Sequence, residues 1–156
     1  MKRNKNLQSL SRDHHHGLLL GWKVRQGLKN NVDEKIIADY IIYFSDQALI
    51  PHFKEEEELL LKYLPADNAF KHRVFNEHGE ILNRVGQLRS NVPLDQEMLL
   101  KIAELLDTHI RFEERELFPY LESTLSPQQL EEAGAAIEEI HQPFIEQFYD
   151  EFWNAG

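Results

Sequence analysis

The sequence predicts an all-α protein, an up-down-up-down four-helix bundle with additional short C-terminal helices. Three observations carry that prediction. No stretch of the 156 residues keeps the alternation of a half-buried strand. Apolar residues instead recur every three or four positions over long segments, the period of a helix with one buried face. The breaks between these segments are short, and short connections between long helices favour antiparallel neighbours.

The first helix is predicted from about Ser9 or Ser11 to Leu28. Ser11, Arg12 and Asp13 make a start, and Gly27 with Asn30-Asn31 makes a stop. The second starts near Asp33 and ends before Pro65, which at about 30 residues gives roughly 45 Å. Pro51 falls inside it. A proline there removes a backbone hydrogen bond, so a kink is expected one residue before His52, with a split into two helices as the alternative. The third runs from about Asp67 to Ser90 and is ended by Asn91 and Pro93. The fourth starts near Leu94-Asp95 and reaches Phe118, before Pro119. Ser126-Pro127 has the pattern of an N-cap followed by proline at the first helical position, opening a short helix to about His141. Pro143 interrupts that helix, and Phe144 to Trp153 reads as a last short one. Residues 1–156 are read as one domain, with a bundle over about 10–121 and a C-terminal helical extension over 126–153.

Composition narrows the function. Hydrophobic residues make up 42% of the chain, ordinary for a soluble domain. A net charge of −10 argues against nucleic acid or an anionic membrane as a partner, because both call for a basic face. The absence of cysteine excludes disulfides, Cys-ligated zinc and Fe–S clusters. The most apolar stretch, Ile36 to Ile50, holds Asp39, Ser45 and Asp46 and is too short and polar to span a bilayer. Lys2, Arg3 and Lys5 are not followed by an apolar run long enough for a signal peptide, so a cytoplasmic protein is expected.

Two segments repeat each other. His52-Phe-Lys-Glu-Glu56-Glu57 and His109-Ile-Arg-Phe-Glu113-Glu114 both read H-x-x-x-E-E, and Leu60/Leu117, Tyr63/Tyr120 and Leu64/Leu121 follow at equal offsets. Residues four apart share a helix face, so each segment points an imidazole and a carboxylate the same way. With His52 as phase marker, Ile41, Ser45, Leu49, Glu56, Leu59, Leu60 and Tyr63 line one face; with His109, Ile102, Leu105, Leu106, Glu113, Leu117 and Tyr120 do. In the third helix Val74, His78, Ile81, Val85 and Leu88 form a stripe with one histidine in it. In the first, the His14 phase gives Leu7, Leu10, Leu18, Gly21 and Leu28. It is a better core face than the rival His15 phase, which brings Trp22 and Lys29 inward. Asp13-His14 mirrors Glu77-His78, as if a helical hairpin were repeated.

One such pair means little, since 27 acidic residues in 156 give any histidine roughly a one-in-six chance of an acid at i+4. The weight lies in the coincidence of two pairs in apolar stripes with one more histidine in the stripe of each other helix. Four imidazoles and two carboxylates buried without a partner would cost several kcal/mol. Two metal ions sharing the carboxylates would satisfy them, and imidazole with carboxylate suits Fe, Mn or Zn. The expected ligands are therefore His14, His52, Glu56, His78, His109 and Glu113. Glu55 and Glu58 fall off the inward face and His72 on the surface. His141 reads as structural, perched at a helix end, and His15 and His16 as solvated or supporting the ligands.

The order His, H-x-x-x-E, His, H-x-x-x-E over four helices resembles the hemerythrin-like, or HHE cation-binding, domain. Leu10-Ser-Arg-Asp-His14-His15, Glu77-His78 and His109-Ile-Arg-Phe-Glu113-Glu114-Arg-Glu-Leu-Phe118-Pro119 carry the likeness. The resemblance implies two iron ions in a non-haem di-iron centre. His14, His52, His78 and His109 would be terminal ligands, and Glu56 and Glu113 bridging carboxylates. Oxygen-carrying hemerythrins have a fifth histidine where this chain has Val74, and end in H-x-x-x-x-D where it has Glu113 and Glu114. The set looks more like that of the di-iron repair proteins and the iron- and oxygen-responsive hemerythrin domains, and Val74 would leave one iron an open position. The expectation is a protein that binds or responds to O₂, NO or iron. A di-iron oxidoreductase acting on peroxide or NO is the first alternative, and a metal-free helical interaction bundle the second. The aromatic tail Phe144, Phe148, Tyr149, Phe152, Trp153 reads as docking on the bundle, with a homo-oligomer contact as its other use.

Overall fold

The computed structural model describes residues 2–90 and 92–154. Four long helical rods form an all-α bundle, and no strand occurs among the described residues. Side chains cap the rods. α1 (Gln8–Lys29) is entered through a 3₁₀ turn, Lys5–Leu7, whose cap is Asn4, its side chain accepting from the Asn6 N–H. The helix therefore starts upstream of Ser11, which lies inside it. Asp33 caps α2 (Glu34–Phe44), accepting from the Lys35 N–H. α2 continues through a π turn, Ser45–Leu49, into α3 (Ile50–Glu55), then a second π turn, Glu56–Leu60, and a 3₁₀ turn, Leu61–Tyr63. Asn68 caps α4 (Ala69–Arg89) and Asp95 caps α5 (Gln96–Phe112). Asn91, expected to end the third helix, lies outside the described residues. α5 runs through a third π turn, Glu113–Leu117, into α6 (Phe118–Thr124). A capping box between Ser126 and Gln129, with Pro127 in the first turn, opens α7 (Pro127–Ile140).

Pro51 lies inside a continuous second rod, as expected, but Pro119 does not act as the sequence suggested. Pro51 neither splits the second rod nor ends a segment, and Pro119 does not stop the fourth, which continues to Thr124. Each proline sits two residues after a π turn, in which an N–H reaches back five residues: Ile50 to the Ser45 carbonyl, Phe118 to that of Glu113. The widened ladder is already out of α-register there, so a residue with no N–H can be accommodated.

The last predicted helix is also absent. From His141 the chain runs as an irregular strap, with only a 3₁₀ turn at Phe152–Asn154. Pro143 removes a helical donor, and side chains of the bundle take up the strap's groups instead. Glu146 accepts from Lys23 (2.6 Å) and Tyr40 (2.7 Å), and the Tyr43 hydroxyl accepts from the Gln147 N–H (2.7 Å). Phe144, Phe148, Phe152 and Trp153 pack on Tyr40, Tyr43 and Phe44, while Ile145 and Tyr149 point to solvent.

The inward face of α1 is Leu10, His14, Gly17, Gly21 and Val24. Leu18, assigned to that face from the sequence, is 38% exposed. The reason is a close approach: a Cβ on Gly17 would lie 2.5 Å from Ile110 Cδ1 of α5. Small residues mark this face, and a search for large apolar ones steps past it.

The core divides into two apolar clusters. One holds Leu20, Ile41, Phe44, Ile81, Val85 and Ile102; the other Leu7, Leu60, Val74, Phe118, Leu121 and Ile137. Along every rod the histidines fall between residues of the first cluster and residues of the second, so they form a polar layer across the bundle. No helix among the described residues is long and apolar enough to cross a membrane.

Candidate metal centre

His14, His52, Glu56, His78, His109 and Glu113 are all buried and all meet in that layer. Their ligand atoms form two overlapping groups, His14, His52, Glu56, Glu113 and Glu56, His78, His109, Glu113, with the atoms of each group within 4.8 Å of one another. Each glutamate turns one oxygen to each side. Glu56 Oε2 lies 3.1 Å from His52 Nε2, and its Oε1 3.1 Å from His78 Nε2. Glu113 Oε1 lies 2.9 Å from His14 Nε2, and its Oε2 3.2 Å from His109 Nε2. Glu56 and Glu113 are also the first residues of π turns. A π turn inside an α-helix often accompanies a functional site, and here both members of each Glu-Glu doublet are used.

All four rings enter with Nε2 inward, because each Nδ1 is bound from behind by a carboxylate of a neighbouring rod. The pairs are His14–Glu114 (2.6 Å), His52–Asp13 (2.7 Å), His78–Glu57 (2.7 Å) and His109–Glu77 (2.6 Å). Nδ1–H donates outward, which leaves the Nε2 lone pair for the centre, the arrangement that orients histidine ligands. These supports are held in turn. Ser11 donates to Glu114 at 2.8 Å and Arg73 to Glu77 at 2.9 Å.

Charge is what the layer lacks. Against four imidazoles stand six carboxylates: Glu56, Glu113, Asp13, Glu57, Glu77 and Glu114. Burial opposes charge on His52, but the Glu56 carboxylate and the bond to Asp13 push it up to about 9. Burial likewise opposes charge on His109, and Glu113 and Glu77 push it up to about 10. His14 and His78 are raised against burial by the carboxylates around them. Burial would raise Glu56, yet the imidazoles, His52 foremost, hold it well below the usual carboxylate range. The layer thus draws positive charge to its middle. His52 Nε2, both oxygens of Glu56 and Glu113 Oε2 are fully buried and make no hydrogen bond. Orphaned buried acceptors around one point fit cations of the class that imidazole and carboxylate bind.

A cavity of about 30 Å³, room for one or two water-sized molecules, adjoins the layer. Asp13, His14, Gly17, His52, Phe53, His109, Ile110 and His141 are among its walls. His15 is exposed, and His16 packs edge-on against Phe144. His72 is exposed and bonds the Ala66 carbonyl. Glu58 is exposed as expected, but Glu55 is buried and bonds His141 Nδ1 at 2.8 Å. His141 is no simple helix-end cation, for its Nε2 also faces Asp13 Oδ1 at 3.3 Å.

Asp13, Glu57, Glu77 and Glu114 were visible in the sequence as the second Glu of each doublet and as the mirrored acid-His pairs, but their task was not. For Glu55 and His141 no local signal exists, since the contact spans 86 residues.

A helical bundle with a buried layer of histidines and shared carboxylates defines a cation-binding protein. Residues 6–121 match the family described as the hemerythrin HHE cation binding domain, and the chain belongs to that family. No curated protein and no solved structure matches it.

Proposed function

We propose that this is a non-haem di-iron protein of the cytoplasm that binds or responds to O₂, NO or iron. The observation that carries the reading is the pair of ligand groups sharing Glu56 and Glu113, with one carboxylate oxygen turned to each side. His14 and His52 would hold one ion and His78 and His109 the other, with the two glutamates between them. When bound, a ferrous pair supplies redox-active ions with affinity for diatomic ligands. The chain's own residues do the rest. The four outer carboxylates fix ring orientation, the two apolar clusters exclude bulk water, and the cavity beside His14 and His52 admits a small molecule and little else.

The test is metal analysis of protein expressed with iron, followed by optical spectra of the anaerobically reduced protein before and after O₂ and NO. The expected result is close to two irons per chain and a spectral change with a small ligand. A chain without transition metal under those conditions would leave only the interaction bundle. Sustained turnover of peroxide or NO with a reductant would make it an oxidoreductase instead.

A further inference from the structure

The strap lies outside residues 6–121, and one of its residues reaches the support of the centre. His141 is fixed at the end of α7, where its N–H bonds the Ile137 carbonyl at 2.7 Å. Its ring spans two rods, with Nδ1 2.8 Å from Glu55 Oε1 and Nε2 3.3 Å from Asp13 Oδ1. The other oxygen of Asp13 takes the His52 Nδ1–H at 2.7 Å. Asp13 is thus held between two rings, one on each oxygen. Its counterpart Glu77 is held differently, between His109 and the exposed Arg73 of its own helix. An aspartate without His141 would be free to swing on its short side chain, and the His52 ring would lose its fixed partner. His141 also walls the cavity together with His14 and His52.

We propose that His141 is a positioning residue: by clamping Asp13 to Glu55 it sets the His52 ring on the wall of the cavity. The inference rests on the metal reading above. It makes the C-terminal strap part of the site rather than a cover for the core.

The full chain, loaded with Co(II) as a probe whose visible bands report ligand geometry, tests it. His141→Ala, His141→Gln and Phe148→Ala are compared with wild type for cobalt content, visible bands and rate of cobalt loss to a chelator. His141→Ala should keep the cobalt content, shift the bands and release cobalt up to about tenfold faster, the lower end of what loss of Asp13 itself, the ring's outer partner, would cost. His141→Gln, whose amide can donate to both carboxylates, should fall between it and wild type. Phe148→Ala loosens the same strap elsewhere and should melt lower with wild-type bands and release. Wild-type bands and release in His141→Ala would overturn the proposal. So would equal changes in Phe148→Ala, because the strap as a whole would then be the cause. Should His141→Ala not fold, His141→Gln decides: faster release than wild type supports the proposal and equal release overturns it. A wild-type chain that takes up no cobalt would overturn the metal reading and this inference together.

Discussion

His14 and His52 on one side, and His78 and His109 on the other, present the same ring nitrogen to the same two glutamates, and each ring is held from behind by a carboxylate. Their surroundings differ. Three residues after His14 stands Gly17, on the cavity wall; three residues after His78 stands Ile81, buried in the core. Phe53 stacks on His78 with ring centres 3.7 Å apart, whereas Phe118 lies 5.4 Å from His14. The cavity is walled by Asp13, His14, His52 and the strap, and of the other pair it reaches His109 but not His78. The lesson is that ligation and access are encoded separately. The repeated motif builds a symmetric set of candidate ligands, and single residues outside it decide which of them the cavity reaches: His14, His52 and His109, but not His78.

The sharpest way to break the comparison is to remove what the halves share. Glu56→Ala or Glu113→Ala takes an oxygen from both sides at once. Metal content should fall from about two ions per chain toward none, with a lower melting temperature, because binding free energy is folding free energy in such a site. Retention of one ion by metal analysis would show that the halves are separable.

Removing the outer carboxylates should strike one half at a time. Asp13→Asn and Glu77→Gln should each weaken metal binding by about tenfold to a hundredfold, measured by competition with a chelator. The loss should be greater for Asp13→Asn. Its single remaining carbonyl oxygen would have to serve two rings, His52 and His141, while one of Glu77's partners is the exposed Arg73.

The pH dependence follows from the raised rings. His52 and His109, pushed up to about 9 and about 10, carry protons at neutral pH in chelator-stripped protein. A ring whose pKa is higher folded than unfolded contributes stability that is complete below about 6.5 and lost as pH climbs through the folded value. The stripped protein should therefore lose thermal stability as pH rises from 7 toward 10. Metal affinity should move the opposite way over the same window, because binding displaces those protons. Calorimetry in two buffers of different ionisation enthalpy checks the proton release. Glu56, held low, adds a contribution that is present above the ordinary carboxylate range and lost as pH falls below it.

Access is tested at Gly17. Gly17→Val places a Cβ 2.5 Å from Ile110 Cδ1 on the cavity wall and should slow NO binding to the iron-loaded protein while sparing metal content. Overpacking there should cost about 1–3 kcal/mol in thermal melts. Ile81→Val on the other half should cost about 0.5–1.5 kcal/mol and leave the NO rate unchanged. An equal slowing by both would mean that the cavity is not the route.

The convergence of the six candidate ligands was legible because helical phase is a local property: residues four apart share a face wherever the chain goes. The bundle was legible for the same reason. What the sequence hid depends on neighbours. The π turns that precede Pro51 and Pro119 leave no mark in the apolar pattern. Leu18 was misplaced because α1 meets α5 through glycines. The strap was read as a helix because its aromatic spacing suits one, yet Pro143 and the bonds of Glu146 and Gln147 hold it irregular. His141 meets Glu55 and Asp13 only through the tertiary fold.

The smallest effects separate neighbours in one acidic run. Glu58 is exposed, with Lys54 4.0 Å away, and an exposed pair of this kind is worth little. Glu58→Ala should leave metal content alone and shift stability within about 0.5 kcal/mol. His15→Ala, also on an exposed face, should do the same. Glu55 was grouped with Glu58 by helical phase, but it is buried and is one of the two carboxylates that grip His141. Glu55→Ala removes an acceptor from a buried pair and leaves the His141 ring to Asp13 alone. It should cost about 1–3 kcal/mol in chemical melts and speed metal loss to a chelator in the direction of His141→Ala. Glu55→Ala behaving like Glu58→Ala would reduce the clamp to a single contact, His141 with Asp13, and the His14–His52 side of the centre would then be held no more firmly than the His78–His109 side.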